Sequence, residues 1–277
     1  MSNISASIAT DIKSALADDE LELPSLPEVA LKIREVAESE FVSAVSLSVE
    51  VGKDPALAAQ LMRIANSPMF RATRSIDDLS QAISRLGVEY SANMVVGLAM
   101  QQMFQATSDL VDNRMREVWK RSTEVAAWST VIANKYTRLR PDQATLAGLT
   151  HCIGALPILG WVEENDHLVR DSMTLDRIIE DLHPTIGMMI LQHWNFAEDI
   201  VRVPEHYQGL NHQAEAADYI DVVSAANLMR LRDTDHPLMS EQWQASPAFT
   251  RLGLDPRDED TYQEHLADAD EIRNALA

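Results

Sequence analysis

The chain has 277 residues, 46% of them hydrophobic, enough for a substantial core in one large domain or two modest ones. Forty-three acids against 23 bases give a net charge of −20 and a pI near 4.7, a balance that repels phosphate backbones and anionic lipid, so nucleic acid is not an expected partner. One cysteine excludes an internal disulfide framework, the N-terminus lacks the basic-then-apolar order of a signal peptide, and apolar windows such as 92–100 and 155–162 fall short of the ~20 residues that cross a bilayer; a cytoplasmic protein without a membrane span is expected.

The pattern is helical almost throughout. A first helix is expected over 4–17, with Ile4, Ile8, Ile12, Ala15 and Leu16 on one face that can dock on the body or on a second copy, which leaves a homo-oligomer open. Ser25, Leu26, Pro27 and Glu28 have capping-box spacing, so a helix is predicted to start there, with Val29, Ile33, Val36 and Ala37 as its buried stripe and a stop near Ser39. Asp54 and Pro55 mark the next start, since the carboxylate accepts from first-turn N–H groups and Pro suits position N1; Leu57, Leu61, Ile64 and Ala65 form its stripe. Pro68 breaks that helix, and another begins near Asp78. Residues 109–136 contain neither Pro nor Gly and read as one long helix, the spine of the molecule. Pro141 opens a helix predicted to run through THCIGALPI until Pro157 kinks or ends it. Helices follow near 174–182, 185–193, 197–207 and 215–232, and the last segment, with eight acids against two arginines over 254–277, reads as a solvated helix prone to fraying.

The common catalytic motifs are absent. Gly52 and Lys53 do not make a phosphate-binding loop, because Leu47 and Asp54 stand where its glycine and hydroxyl belong; there is no H-E-x-x-H, no G-x-S-x-G and no glycine-rich dinucleotide turn. What remains is a scatter of soft ligands: His151, Cys152, His183, His193, His206 and His212. Imidazole and thiolate suit zinc or iron(II), yet the plain alternative is that His151 and Cys152 are packed residues of an apolar helix, and nothing near Cys152 beyond its neighbour would activate it as a nucleophile.

Several blocks, in order, resemble the HDOD family, an output-type offshoot of the HD phosphohydrolases: LPSLPEVALKIREV, VGKDPALAAQLMRIANSPMF, SIDDLSQAISRLGVEYSANMVVGLAMQQMF, WKRSTEVAAWS, LAGLTHCIGALPIL, HPTIGMMILQHWNFAEDIV and EHYQ, together spanning about residues 21–232. The resemblance implies an all-α fold, an N-terminal helical bundle packed against an HD-like helical bundle. The corresponding divisions are 1–20 as an N-terminal helix, 21–107 as the first bundle, 108–232 as the HD-like bundle and 233–277 as an acidic extension.

In catalytic HD relatives a histidine precedes a His-Asp pair, later helices add histidines and a late aspartate completes a metal site. Here the resemblance places Arg121 at the first position, His151 and Cys152 at the pair, His183 and His206 at the later histidines, Glu205 where a second histidine often stands and Asn227 at the aspartate. Arginine cannot ligate a metal, so the expectation is a vestigial, metal-free pocket filled by Arg121; the remaining alternative is a mononuclear zinc, iron or manganese site from His151, Cys152, His183 and His206. The Gly-Tyr-Pro signature of the cyclic-dinucleotide phosphodiesterase branch is missing. Residues 114–140 carry seven bases and only Glu117 and Glu124 as acids, so Arg114, Lys120 and Arg121 can hold an anion such as a nucleotide phosphate, if they are not simply paired with acids elsewhere. Three functions stay open: a non-catalytic signalling module that binds a protein partner, a metal-dependent phosphohydrolase acting on a nucleotide or cyclic nucleotide, and a nucleotide sensor without turnover.

Overall fold

A computed structural model describes residues 3–18, 20–70, 75–165, 172–209, 212–236, 239 and 243–276, and among them there is no strand. The fold is all-α. The N-terminal part contains α1 (Asn3–Ala17), α2 (Glu28–Ala37), α3 (Ala44–Val51), α4 (Pro55–Ala65), α5 (Leu79–Leu86) and α6 (Val88–Ala99), with 3-10 turns at Pro68–Phe70 and Met100–Met103. The spine is α7 (Asp109–Tyr136), as its lack of Pro and Gly predicts; Ser108 caps it by accepting from the Val111 N–H. Then come α8 (Pro141–Thr150), α9 (Ala155–Glu164), α10 (Ser172–His193), the short α11 (Glu198–Val201) and α12 (Val203–His206), α13 (Tyr219–Leu231), α14 (Pro247–Leu252) and α15 (Glu259–Leu276).

Apolar stripes explain the assembly. α2 packs on α3 and α6, α6 continues onto α8, and α7 is enclosed by α8, α9, α13 and α15. One hydrophobic core runs from Ile8 to Leu276. α1 lays Ile8, Ile12 and Ala15 against α10, so its apolar face docks on the body; the Ile4 side chain lies outside the described set.

Five expectations need correction. The capping box at Ser25 does not form: Pro27 is the N-cap, extended at φ −52° and ψ 141°, without a side-chain bond, because Pro24 and Pro27 hold their predecessors out of the α region and the helix can begin only at Glu28. The helix from Pro141 breaks at residues 151–154 rather than at Pro157, which sits in the first turn of α9 where its missing N–H costs nothing. Pro184 does not separate two helices, since α10 continues through it. The helix expected from 215 starts at Tyr219 behind an Asp218–Asp221 capping box, and the acidic C-terminal segment is no frayed tail: Tyr262 stacks on Trp128 at 5.7 Å, and Ile272, Ala275 and Leu276 are buried. Its acids occupy the outward face, where Lys135 reaches Glu264 at 2.6 Å and Asp268 at 2.9 Å.

Residues 141–164 are apolar and long enough to cross a bilayer, but 89% of the qualifying window is buried inside the protein and a turn interrupts it. That apolar surface is consumed by the core.

Candidate functional site

Arg121 leaves the middle of α7 toward the turn between α8 and α9, where His151 and Cys152 lie. His151 ends α8, and its Nδ1–H donates to the Gly148 carbonyl at 2.6 Å, a bond that fixes the tautomer and leaves Nε2 as a buried acceptor with no partner. The turn exists because Gly154 crosses α10 at close range: a Cβ there would stand 2.1 Å from the His183 carbonyl oxygen and 2.5 Å from the Gly187 nitrogen. That crossing brings His183 beside the turn.

The centre of the cluster is the Tyr207 hydroxyl, one residue past α12. It accepts from Arg121 Nη2 at 2.8 Å and from Gln208 Nε2 at 3.0 Å, and it lies 3.3 Å from His183 Nε2, to which it donates. Cys152 Sγ is 3.8 Å from the same oxygen, and the His151 ring meets the Tyr207 ring edge-on at 4.8 Å. Ser224 of α13 donates to the Tyr207 carbonyl and pins the segment to the body.

Electrostatics follow from burial. His151, Cys152 and His183 are 0%, 2% and 0% exposed. Burial first, and the Arg121 charge second, holds the His151 imidazole well below its ordinary range and pushes His183 down to about 3, so both are neutral. Burial also raises the Tyr207 phenol far above its usual range. Arg121 stays protonated at this depth, so the pocket contains one fixed cation supplied by the chain itself.

The structure thus unites Arg121, His151, Cys152 and His183 around Tyr207, whereas the three other expected members, Glu205, His206 and Asn227, have other neighbours. His206 is 42% exposed at its side chain, 3.7 Å from Glu205 and stacked on His212 at 6.4 Å between ring centroids. Asn227 is buried on α13 and faces Arg230, which also reaches Glu124 at 3.3 Å. Burial, and next the Arg121 charge, lowers the Arg230 pKa. The three bases expected to share an anion go to separate partners: Arg114 to Glu117 and Asp176, Lys120 to Glu124 at 4.0 Å, and Arg121 to Tyr207. Sequence reasoning missed Tyr207, Gln208 and Arg230. The EHYQ block contained the first two, and a buried tyrosine hydroxyl needs a polar partner, but nothing local says which way it points.

These residues do not fit a metal. A cation between His151, Cys152 and His183 would sit beside the Arg121 guanidinium and in place of the Tyr207 hydroxyl, and the fourth expected ligand, His206, is part-exposed beside Glu205. Among the described residues, the set of three ligand-type side chains whose donor atoms lie within 4.8 Å of one another is His212, Asp218 and Asp221. Even there Asp221 is held by two contacts from Arg251, which also donates to the His212 carbonyl at 2.9 Å, so a cation would lie close to the Arg251 charge.

Known proteins share this framework. The model of the HDOD domain matches residues 23–209. The crystal structure of a candidate metal-dependent phosphohydrolase from Shewanella amazonensis SB2B superposes with a TM-score of 0.89 at 26% identity, covering 100% of both chains. An HDOD domain protein with unknown function from Geobacter sulfurreducens shares the fold, with a TM-score of 0.68 at 20% identity over 98% of this chain and 96% of that one. An uncharacterised protein of Treponema pallidum is 25% identical over 244 residues, which are 82% of this chain and 46% of that protein, so the chain spans about half the length of this curated relative.

Proposed function

The chain belongs to the HDOD domain family, and from that premise we propose that it is a non-catalytic regulatory module of a cytoplasmic bacterial signalling pathway, working by binding a protein partner or a small ligand rather than by turnover. The observation that carries this reading is the Tyr207 hydroxyl bonded to both Arg121 and His183. Metal-assisted hydrolysis needs an open coordination position in which water is held and polarised. Here a phenol fills the space between the would-be ligands and an arginine supplies the charge, so the position a metal-bound water would need is taken by the chain's own side chains.

The test is metal content by elemental mass spectrometry on protein purified without chelator or an affinity metal column, together with hydrolysis assays on nucleotides and cyclic nucleotides with added manganese or iron(II). The expected result is substoichiometric metal, unchanged by His183→Ala, and no turnover. Near-stoichiometric metal that is lost with His151→Ala or His183→Ala, accompanied by hydrolysis, overturns the reading.

A metal-dependent phosphohydrolase is the second reading, favoured by the 26% identity to the Shewanella protein and by the His212–Asp218–Asp221 set. It requires metal and turnover that depend on ligating side chains, His212 for this set or His151 and His183 for the cluster, and a His212→Ala variant with unchanged metal content removes the support that the set gives.

A further inference from the structure

α3 is apolar on both of its sides. Its inward side buries Leu47 and Val51 completely, yet its outward side presents Val45 and Val49, one turn apart and 63% and 64% exposed. A helix that is hydrophobic all round is ordinarily covered all round. Phe41, in the turn that enters α3, is 88% exposed, and Leu31, on the outer side of α2, is 51% exposed. Among the described residues six large apolar side chains are more than half exposed; these are four of them, and the other two, Leu110 and Met173, lie on α7 and α10. The connection from α2 to α3, residues 38–43, is short, so the two helices pack as antiparallel neighbours and the start of α2 meets the end of α3. Lys32, next to Leu31, is accordingly held above its ordinary pKa by Glu35 first and also by Glu50, the neighbour of Val49 on α3.

Carboxylates edge this apolar surface. Glu28 lies one turn before Leu31, and Glu38 and Glu40 lead into Phe41. Glu28 and Glu40 have no ion pair among the described residues, and Glu38 has only a 4.0 Å contact with Arg34, whose guanidinium is committed to the Trp194 and Asn195 carbonyls. The nearby lysines are already taken, Lys32 by Glu35 at 3.1 Å and Lys53 by Glu50 at 2.6 Å.

We propose that the outer face of the α2–α3 pair is the docking site for a basic amphipathic helix of a partner protein, its apolar side on Leu31, Phe41, Val45 and Val49 and its lysines or arginines toward Glu28, Glu38 and Glu40. Two packed helices leave a groove that accepts the ridge of a third, and acids at both ends of the apolar strip select opposite charge in the incoming helix. A second copy of this chain is not the occupant. Four side chains expose roughly a few hundred Å², well short of the ~800 Å² that each partner buries in a standard stable interface. Each copy also carries a net charge of −20, which repels the other. The proposal rests on the partner-binding reading above and deepens it by naming the surface, and it shares no residue with the Tyr207 cluster.

The experiment is fluorescence anisotropy of the full chain with a labelled helical peptide of about 18 residues, leucine on one face and lysine and arginine on the other, beside a counterpart in which glutamate replaces every base. The basic peptide binds saturably at one site per chain, and the acidic counterpart binds about tenfold more weakly or worse. The triple variant Phe41→Ser, Val45→Ser, Val49→Ser loses about tenfold or more and melts as the parent does, because the removed side chains are exposed. The control variant Leu110→Ser, Met173→Ser binds as the parent does. No saturable binding, or equal binding of the two peptides, overturns the proposal. Equal binding by the triple variant overturns it by showing indiscriminate attraction to an acidic surface. Sedimentation that finds a dimer of the parent but not of the triple variant overturns it by making a second copy the occupant. Metal-dependent turnover that the triple variant retains removes the non-catalytic reading instead, and leaves the peptide outcomes to decide the surface.

Discussion

Replacing Tyr207 by Phe removes one oxygen and leaves the Arg121 guanidinium facing His183 without the acceptor between them. A buried charged donor that loses its partner pays its desolvation, so the variant should lose about 1–3 kcal/mol, read as a lower midpoint in urea with an unchanged slope. A midpoint equal to the parent's would mean that Arg121 finds another partner at no cost. The neighbouring imidazoles make the fold acid-sensitive. In the unfolded chain His183 takes a proton near pH 6.5, whereas in the fold burial and Arg121 delay that to about 3. Between these values the unfolded state binds more protons, so stability falls as pH falls, by about 2 kcal/mol for His183 from pH 6.5 to 5.0. His151 adds in the same direction. Melting temperatures between pH 7.5 and 5.0 check this: the decline should be shallower in His183→Gln, and an identical decline would mean that His183 is not the group responsible.

At the scale of elements, the α9–α10 crossing is the tightest demand that the site makes on the chain. A methyl at Gly154 would meet backbone atoms of α10 at 2.1 and 2.5 Å, which no rotamer change relieves, so Gly154→Ala should cost about 3 kcal/mol or more, whereas Gly160, inside α9 with nothing within 4 Å of a built Cβ, should gain about 0.5–1 kcal/mol as Gly160→Ala. Chemical denaturation of the pair checks both signs at once. The C-terminal helix makes a different demand. Ending the chain at residue 258 strips Tyr262 from Trp128 and takes Ile272 and Leu276 out of the core, each worth about 1.5–3 kcal/mol of burial against a total stability of order 5–15. The shortened protein should lose its cooperative thermal transition and bind a hydrophobic dye; a truncated chain that melts as the full one does would return α15 to the status of a solvated appendage.

Across the whole molecule the N-terminal helices and the HD-like helices are locked together by more than apolar contact. Arg34 of α2 donates to the carbonyls of Trp194 at 2.6 Å and Asn195 at 3.2 Å, its guanidinium lies 5.3 Å from the centroid of the Phe196 ring, and the Trp194 indole donates to the Pro24 carbonyl at 2.9 Å. Asn93 of α6 donates to Asp142 of α8 at 2.7 Å, and Arg140 bridges the same carboxylate to Glu89. With a core continuous from Ile8 to Leu276, unfolding should be a single transition, with circular dichroism and tryptophan fluorescence giving coincident curves. Two separated transitions would mean that the first bundle and the HD-like bundle hold together less strongly than they hold internally.

Short-range physics is legible in the chain: the all-α class, the spine from Asp109 to Tyr136, the Asp54 cap, the helix start near Asp78 and the order of blocks that carries the family. These are read from caps, prolines and 3.6-residue periodicity, whose energetics act within a few turns. Long-range packing sets the rest: α10 runs through Pro184, the turn at 151–154 holds a glycine against another helix, the acidic C-terminal segment buries one face on α7, and Tyr207 stands among Arg121, Cys152 and His183 while His206 is part-exposed. Each of those outcomes depends on which surfaces meet between residues far apart in the chain, as with Arg121 and Tyr207, 86 positions apart, or Trp128 and Tyr262. A residue's chemistry is local, but its partner is chosen by packing, and packing is a property of the assembled chain.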